Sequence, residues 1–425
     1  MDLKEIFVKT INDYINENGQ EKEIEKCVME NFKIAFQQVF KKTSKISDVA
    51  TSENSVKGCE YIFQKGKNIG KTCGSGKENL CRKHCKKNAT GSLKGVQKMP
   101  PLKGAKLKIP VGSVIRSISK AWTLGPAIGR GGFGEIYSAY EGEEVTSSTS
   151  PTYPFAVKIE PHDNGPLFVE MHFYMRVAKM VDIEKFKIKR RLKTLGMPLH
   201  VGFGSHTYNI NKYRFIVMER YGTDIWSLYV KHGKCFQPSV VLKLAIQTLH
   251  VLEYIHSKGY IHADIKGENM LIKQNDSSQI YLVDFGLSCH YDKQYSPDPK
   301  KAHNGTLEYV SRDGHCGVQS RRGDLEILGY NMIQWAGGVL PWEHLLNVTP
   351  VHDSKKKYME DISLFFKDIV FKKNKNNEKK TDIIQTLVAY FNIISKMTFE
   401  KDPNYEEIEN IIISSKDYDT DITFQ

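Results

Sequence analysis

The hydrophobic and polar positions of this chain fall into three successive patterns. From residue 1 to about 45, apolar residues recur at helical spacing. Ile6, Phe7, Ile11 and Ile15 form one stripe, and Ile24, Cys27, Val28, Phe32, Ala35, Phe36, Val39 and Phe40 form another. Asn18-Gly19 between them is a helix stop, so residues 1–45 are expected to be a helical segment. From 46 to 112 the periodicity is lost, and the stretch is polar and rich in Lys and Gly. From Val114 short alternating runs predict strands, and from about Pro238 longer apolar stripes predict helices. Residues 113–425 are therefore expected to form an α+β unit, strand-rich first and helical afterwards. An acidic, Ser/Thr-rich loop at 141–152 separates two strands, and a Lys-rich run at 372–380 separates two C-terminal helices.

Composition narrows the class. With 40% hydrophobic and 26% charged residues, 32 Gly and 15 Pro in 425 positions, collagen-like, low-complexity and wholly disordered chains are excluded. No run approaches the ~18 apolar residues of a membrane-spanning helix, and the first residues mix acids into their apolar positions, unlike a secretory signal. Eight cysteines are too few for a disulfide scaffold of this length. An intracellular location, cytoplasmic or nuclear, is expected.

The net charge of +12 is concentrated in one place. Residues 57–108 hold fourteen Lys and Arg against two acids, Glu60 and Glu78, an excess equal to that of the whole chain. Such a segment suits an acidic partner, nucleic acid or an acidic protein surface; the alternative is a solvated linker. Cys59, Cys73, Cys81 and His84 lie in the same stretch, with Cys85 competing for the fourth place. A segment so poor in aliphatic residues cannot fold on burial alone, and a tetrahedral Zn²⁺ would supply what is missing. The rival is unpaired thiols in a linker.

Four further motifs carry chemistry. Ile128-Gly129-Arg130-Gly131-Gly132-Phe133-Gly134 precedes a strand-like run that includes Ile136, so its glycines are expected to close a β-hairpin whose N–H groups can lie over phosphates. Phe155-Ala156-Val157-Lys158 ends a buried-type strand in a lysine. Glu170, twelve residues on, lies in a helical pattern able to return it to the sheet. A Lys158–Glu170 pair would hold an ammonium against the α- and β-phosphates of a nucleotide. In the run from His262 to Asn269, Asp264 can accept a hydroxyl proton and Asn269 can ligate a metal. Asp284-Phe285-Gly286 follows an apolar strand, with its carboxylate placed for Mg²⁺.

These motifs, in this order, resemble the protein kinase signature, which implies a bilobal kinase fold with a small β-rich lobe and a large helical lobe. Longer stretches resemble the vaccinia-related kinases of the casein-kinase-I-like group: residues 164–170 (NGPLFVE), 190–198 (RRLKTLGMP), Asp264-Ile265-Lys266, 320–330 (SRRGDLEILGY) and 399–405 (FEKDPNY). The resemblance covers roughly residues 115–415 and implies a Ser/Thr kinase acting on proteins with ATP and Mg²⁺. It implies Asp264 as base, Lys266 on the transferring phosphoryl group, and Lys158 with Glu170 orienting the nucleotide. Asn269 and Asp284 would be the Mg²⁺ ligands. The nucleotide would lie among Ile128, Gly129, Gly131, Gly132, Phe133, Gly134, Ile136, Ala156, Lys158, Met218, Glu219, Tyr221 and Leu271. Ala263 departs from the Arg that most kinases place beside the catalytic Asp, which points to activity without a phosphorylated activation loop. No A-P-E follows the activation segment, and residues 320–330 are expected in that region. The Cys59–Gly74 stretch resembles Cys/His modules of large DNA viruses, which would put the protein in a host cell. The resembling family suggests chromatin-associated or nucleic-acid partners, met through residues 57–108. The competing reading is a catalytically weak kinase-fold scaffold whose basic zinc module recruits partners.

Overall fold

Six antiparallel strands make the first layer, and their period-two alternation sorts side chains onto two faces. They are β1 (Val114–Arg116), β2 (Ala121–Arg130), β3 (Glu135–Glu141), β4 (Phe155–Pro161), β5 (His200–Tyr208) and β6 (Asn211–Glu219), in the order β1-β2-β3-β4-β6-β5. One face buries Trp122, Leu124, Tyr137, Ala139, Val157, Ile159, Phe215 and Val217 in a single cluster. Ala156, Lys158, Ile216 and Met218 alternate with the last four and project from the other face.

The computed structural model describes residues 109–131, 134–143, 152–372, 381–419, 421 and 424. The chain divides into two units, Met1–Pro101 and Leu102–Gln425, and every described residue belongs to the second. The helical segment expected over 1–45 and the Cys/His segment with its zinc ligands Cys59, Cys73, Cys81 and His84 lie outside the described residues.

Helix α1 (Pro166–Val177) follows β4, with proline in its first turn. Its Leu167 N–H donates to the buried Glu160 carboxylate at the end of β4, at 3.1 Å. Leu167, Glu170, Phe173, Tyr174 and Val177 form its buried stripe, at successive steps of three, three, one and three residues. Helix α2 (Met180–Arg190) comes next. Its periodicity is weak in the sequence because Met180, Val181 and Ile188 are exposed and only Ile183 and Phe186 are buried.

The helical lobe begins with α3 (Ile225–Lys231) and α4 (Pro238–Ser257), as the pattern from Pro238 predicts. Two-stranded pieces follow: β7 (Tyr260–Ile261) with β10 (Cys289–His290), and β8 (Met270–Lys273) with β9 (Asp276–Leu282). Then come α5 (Arg312–His315), α6 (Arg321–Trp335), β11 (Gly338–Val339), α7 (Val348–Glu360), α8 (Ile362–Asp368), β12 (Val370–Phe371), α9 (Thr381–Lys396) and α10 (Tyr405–Ile413). Every residue of α6 from Gly323 to Trp335 is buried. A helix buried all round can carry polar side chains only where each finds a partner, and Asp324, Glu326, Asn331 and Gln334 lie on it. Helix α10 is tied back by Glu409, which pairs with Arg190 and with His250. This is the expected α+β architecture of a β-rich lobe followed by a helical one. No helix among the described residues is long and apolar enough to cross a membrane.

Candidate functional site

The cleft face of the sheet is built from two ladder rows. In the first, Gly129 pairs with Ile136, Ile136 with Lys158, and Lys158 with Ile216. That row puts the glycine hairpin two strands from the lysine. The hairpin closes as predicted, with Arg130 opposite Glu135 and the Gly131 N–H donating to the Gly134 carbonyl at 2.9 Å. Gly134 is required by packing: a Cβ there would lie 2.1 Å from the Ile159 carbonyl oxygen. Gly132 and Phe133 lie outside the described residues, and Ile128 is exposed at the start of the hairpin. The second row pairs Ala156 with the buried Met218. Beyond it, Glu219 ends β6 and the N–H groups of Arg220 and Gly222 donate to the Pro154 and Ile272 carbonyls. Tyr221 between them stacks on Tyr281, rings 4.4 Å apart, and Tyr281 is the register partner of Leu271.

Lys158 is the charged centre. Its Nζ lies 2.7 Å from Glu170 Oε2 and 2.9 Å from Asp284 Oδ1. Burial acts to lower the lysine's pKa, but the two carboxylates outweigh it, and the ammonium is held above its ordinary value. Burial likewise acts to raise Asp284, yet the Lys158 charge and hydrogen bond, with the Gly286 N–H, bring it below the ordinary carboxylate value. Asp284 has a left-handed backbone, φ 63°, a strained setting for a non-glycine residue. Phe285 beside it is wholly buried and stacks on Phe173 of α1 at 3.8 Å between ring centres. The side chains that fix Asp284 and Glu170 thus share one aromatic contact.

The loop after β7 carries Asp264. Its Oδ1 accepts from the Thr306 hydroxyl and N–H at 3.0 and 3.2 Å, and its Oδ2 lies 2.8 Å from Lys266 Nζ. Lys266 also donates to Thr306 Oγ1 at 3.0 Å. The Asn269 side-chain amide donates to the Asp264 backbone carbonyl at 2.8 Å, and the Asn269 backbone carbonyl accepts from Val283 N–H at 2.9 Å. Through Asn269, therefore, the Asp264 loop is joined to the strand that delivers Asp284.

Beneath this loop, Asp324 of α6 accepts from the N–H groups of His262 and Ala263, both at 2.8 Å, and pairs with His256 at 2.9 Å. Two consecutive N–H groups aimed at one carboxylate fit Ala263's left-handed backbone, φ 70°. The Ala263 side chain packs into an apolar cluster with Ile261, Tyr291, Val318 and Phe399. A guanidinium has no room there without desolvation.

Comparison with known proteins decides the family. The protein kinase domain family matches residues 122–416. B1 kinase of Vaccinia virus is 34% identical over 307 residues, which are 70% of this chain and 95% of that protein. The chain belongs to the vaccinia-related branch of the protein kinases. Nucleosomal histone kinase 1 of Drosophila melanogaster is 46% identical over 71% of this chain, and the match spans about half, 49%, of that relative's length. The solved structure of vaccinia related kinase 3 superposes with a TM-score of 0.61 at 28% identity, covering 72% of this chain and 90% of that one.

Within this kinase domain, sequence reasoning named Lys158, Glu170, Asp264, Lys266, Asn269 and Asp284, and the fold brings them to one cleft. It gave no role to Thr306 or Asp324. Asp324 sits inside the 320–330 stretch but reads there as an ordinary helix-surface acid, and Thr306 has no local pattern at all. The same stretch was expected at the end of the activation segment. Instead Ser320 caps α6, accepting from Gly323 N–H at 2.9 Å. The segment's end is residues 309–315, fastened by Arg312 to Glu326 and by Arg322 to Asp313.

The donor set also fits a magnesium ion. Asp284 offers a half-exposed carboxylate, and Asn269, with its amide nitrogen engaged by Asp264, offers a carbonyl oxygen. A hard ion of this kind takes few protein oxygens and completes its shell with phosphate and water. Among the described residues no group of three or more His, Cys, Asp and Glu could hold a metal alone.

Replacing Asp324 by alanine leaves two buried N–H groups and His256 without their acceptor. The expected cost is about 3–5 kcal/mol, read as a lower urea midpoint at unchanged slope. An unchanged midpoint would show that the loop holds itself.

Proposed function

We propose that this chain is an ATP-dependent serine/threonine protein kinase of vaccinia-related type. The observation that carries the reading is the Lys158 bridge to both Glu170 and Asp284, beside a loop in which Asp264, Lys266 and Thr306 converge. Lys158 orients the α- and β-phosphates, and the hairpin of Gly129, Gly131 and Gly134 covers them. The adenine lies between Ala156, Met218 and Leu271, against the backbone of residues 219–221. Asp264 takes the proton of a substrate Ser or Thr hydroxyl as its oxygen bonds the γ-phosphorus. The bond from that phosphorus to the β–γ bridging oxygen breaks, and ADP leaves. Lys266 neutralises charge on the moving phosphoryl group. Asp284 and Asn269 would hold Mg²⁺, which supplies charge neutralisation on the triphosphate. Positioning and charge, more than covalent chemistry, provide the rate.

The protein substrates we infer are basic and chromatin-associated, a reading supported by the histone kinase relative. The chromatin part of this reading gains support from the basic run at 57–108, which suits an acidic partner such as nucleic acid, and with it goes an intracellular site of action, nuclear or cytoplasmic. The same run holds the proposed zinc ligands Cys59, Cys73, Cys81 and His84 or Cys85, supported by their spacing and by the lack of aliphatic residues around them. A scaffold reading, with weak catalysis and recruitment by this module, has the retained Lys158, Asp264 and Asp284 against it.

Three outcomes test these proposals. Asp264→Ala should lower the phosphorylation rate of a histone substrate about 10²–10⁴-fold with ATP affinity unchanged, whereas Asp284→Ala should also remove Mg²⁺-dependent ATP binding. Wild-type turnover in Asp264→Ala would refute the base. Phosphatase-treated protein should show no lag in its initial rate, because Ala263 and its apolar neighbours offer a phosphate no partner; a lag abolished by preincubation with ATP would count against this. The full chain should carry one zinc per molecule by metal analysis, lost in Cys73→Ser and Cys81→Ser, and equal zinc in all three would return residues 46–112 to a basic linker.

A further inference from the structure

Below the turn that carries Thr306 lies a lysine with no part in the chemistry described so far. Lys355 of α7 has no exposed surface. Its Nζ donates to the Leu307 and Val310 carbonyls at 2.9 and 2.8 Å and lies 3.4 Å from His315 Nε2. The ring centres of Tyr330 and Trp342 are 5.4 and 5.3 Å away, so aromatic faces complete its surroundings. Among the described residues no carboxylate forms an ion pair with it. Burial pushes its pKa well below that of an ordinary lysine, and the more distant Glu326 and Glu308 offset only part of this.

A buried charge without an ionic partner is costly. A methionine of similar length would fill the same space, so packing alone does not account for a lysine here. What the ammonium adds is three donors in one place, and its contacts number three: two carbonyls and one imidazole nitrogen. His315 serves as acceptor when neutral, and burial first, then the Lys355 charge, push its pKa down to about 2. Placing the His315 proton on Nδ1 also satisfies its 2.8 Å contact with His303 Nδ1.

The two carbonyls belong to the turn whose other end is at the catalytic loop. Tyr309 and Val310 N–H groups donate to the Thr306 carbonyl at 2.8 and 2.9 Å, making residues 306–310 one hydrogen-bonded unit. Thr306 grips Asp264 and Lys266 from above, and Lys355 grips Leu307 and Val310 from below. Gly305, at φ 111°, is the joint that lets the chain enter this turn.

We propose that Lys355 is a positioning residue of the phosphotransfer site: its ammonium fixes the 306–310 turn so that Thr306 stays on Asp264 and the incoming hydroxyl meets the base at a set place. The proposal rests on the kinase reading above and adds to it a residue that touches neither substrate nor nucleotide. Misplacement of about 1 Å at a reacting centre can cost as much as ~10²-fold in rate, so a loosened turn should be visible in turnover.

The test compares the full-length wild type with Lys355→Met and Lys355→Arg. In Lys355→Met, kcat/KM for a histone substrate should fall about tenfold or more, while the KM for ATP and the thermal midpoint stay at wild-type values. Amide hydrogen exchange over 307–310 should quicken. Lys355→Arg, which keeps the charge, should recover most of the activity and the protection. Wild-type kcat/KM in Lys355→Met would overturn the proposal, as would a joint fall of ATP affinity, thermal midpoint and activity, the mark of a merely structural lysine. Exchange is read without any activity. An inactive wild type would therefore sink the kinase reading alone, and unchanged exchange in Lys355→Met would sink this inference alone.

Discussion

The carboxylate of Asp324, 1% exposed in the middle of the helical lobe, accepts hydrogen bonds from two successive backbone N–H groups and from His256. Everything on the catalytic side of the cleft is referred to that point. The two N–H groups belong to His262 and Ala263, immediately before Asp264, so the orientation of the proposed base is inherited from a helix buried on every side. A loop fixed this way needs no induced fit to align its side chains. Tyr405 donates to or accepts from His256 in turn, at 2.6 Å, and carries the same network to α10.

The nucleotide side has a different foundation. There a sheet presents Lys158, a helix presents Glu170, and a strained residue at φ 63° presents Asp284. Three elements from both lobes meet at one ammonium: the two carboxylates hold it charged against burial, and it favours the ionised form of each, although burial and the Asp284 charge keep Glu170 above its ordinary value. The stack of Phe285 on Phe173 and the tilted contact of Phe285 with His262, ring centres 4.8 Å apart, connect this triad to the Asp324 loop. Charge is admitted to the cleft only where it is paired. Beside Asp264, where an unpaired arginine would have to be buried, Ala263 and an apolar cluster stand instead.

On the substrate side the supports are paired hydrogen bonds, two from Thr306 to the Asp264 carboxylate and two from Lys355 to backbone carbonyls. Thr306 reaches the catalytic loop and Lys355 reaches the turn behind it, so a short unit of chain is held from opposite directions by groups that are not neighbours in sequence. The activation segment ends in two Arg–carboxylate pairs, Arg312–Glu326 and Arg322–Asp313, both anchored on α6. That helix therefore supports the base, the turn and the end of the segment together.

The amino-acid sequence by itself determined the strand-rich then helical order of the lobes and marked the residues proposed to meet nucleotide and metal. Lys158 and Glu170 were legible because a strand ending and a helical stripe twelve residues apart leave few ways to pack, and Asp264, Asn269 and Asp284 because their spacing follows from chemistry done within one loop and one turn. Only the tertiary structure decided the partners that lie far along the chain. Thr306 is 42 residues from Asp264, Asp324 is 62 from His262, and Lys355 is 45 from Val310. Local hydropathy marks such residues as ordinary surface positions, since an acid or a lysine on a helix reads the same whether it faces water or a buried N–H or carbonyl. Which of the two it faces is settled by how α6 and α7 pack around the loop, and burial makes the Asp324 hydrogen bonds in particular costly to leave unmade.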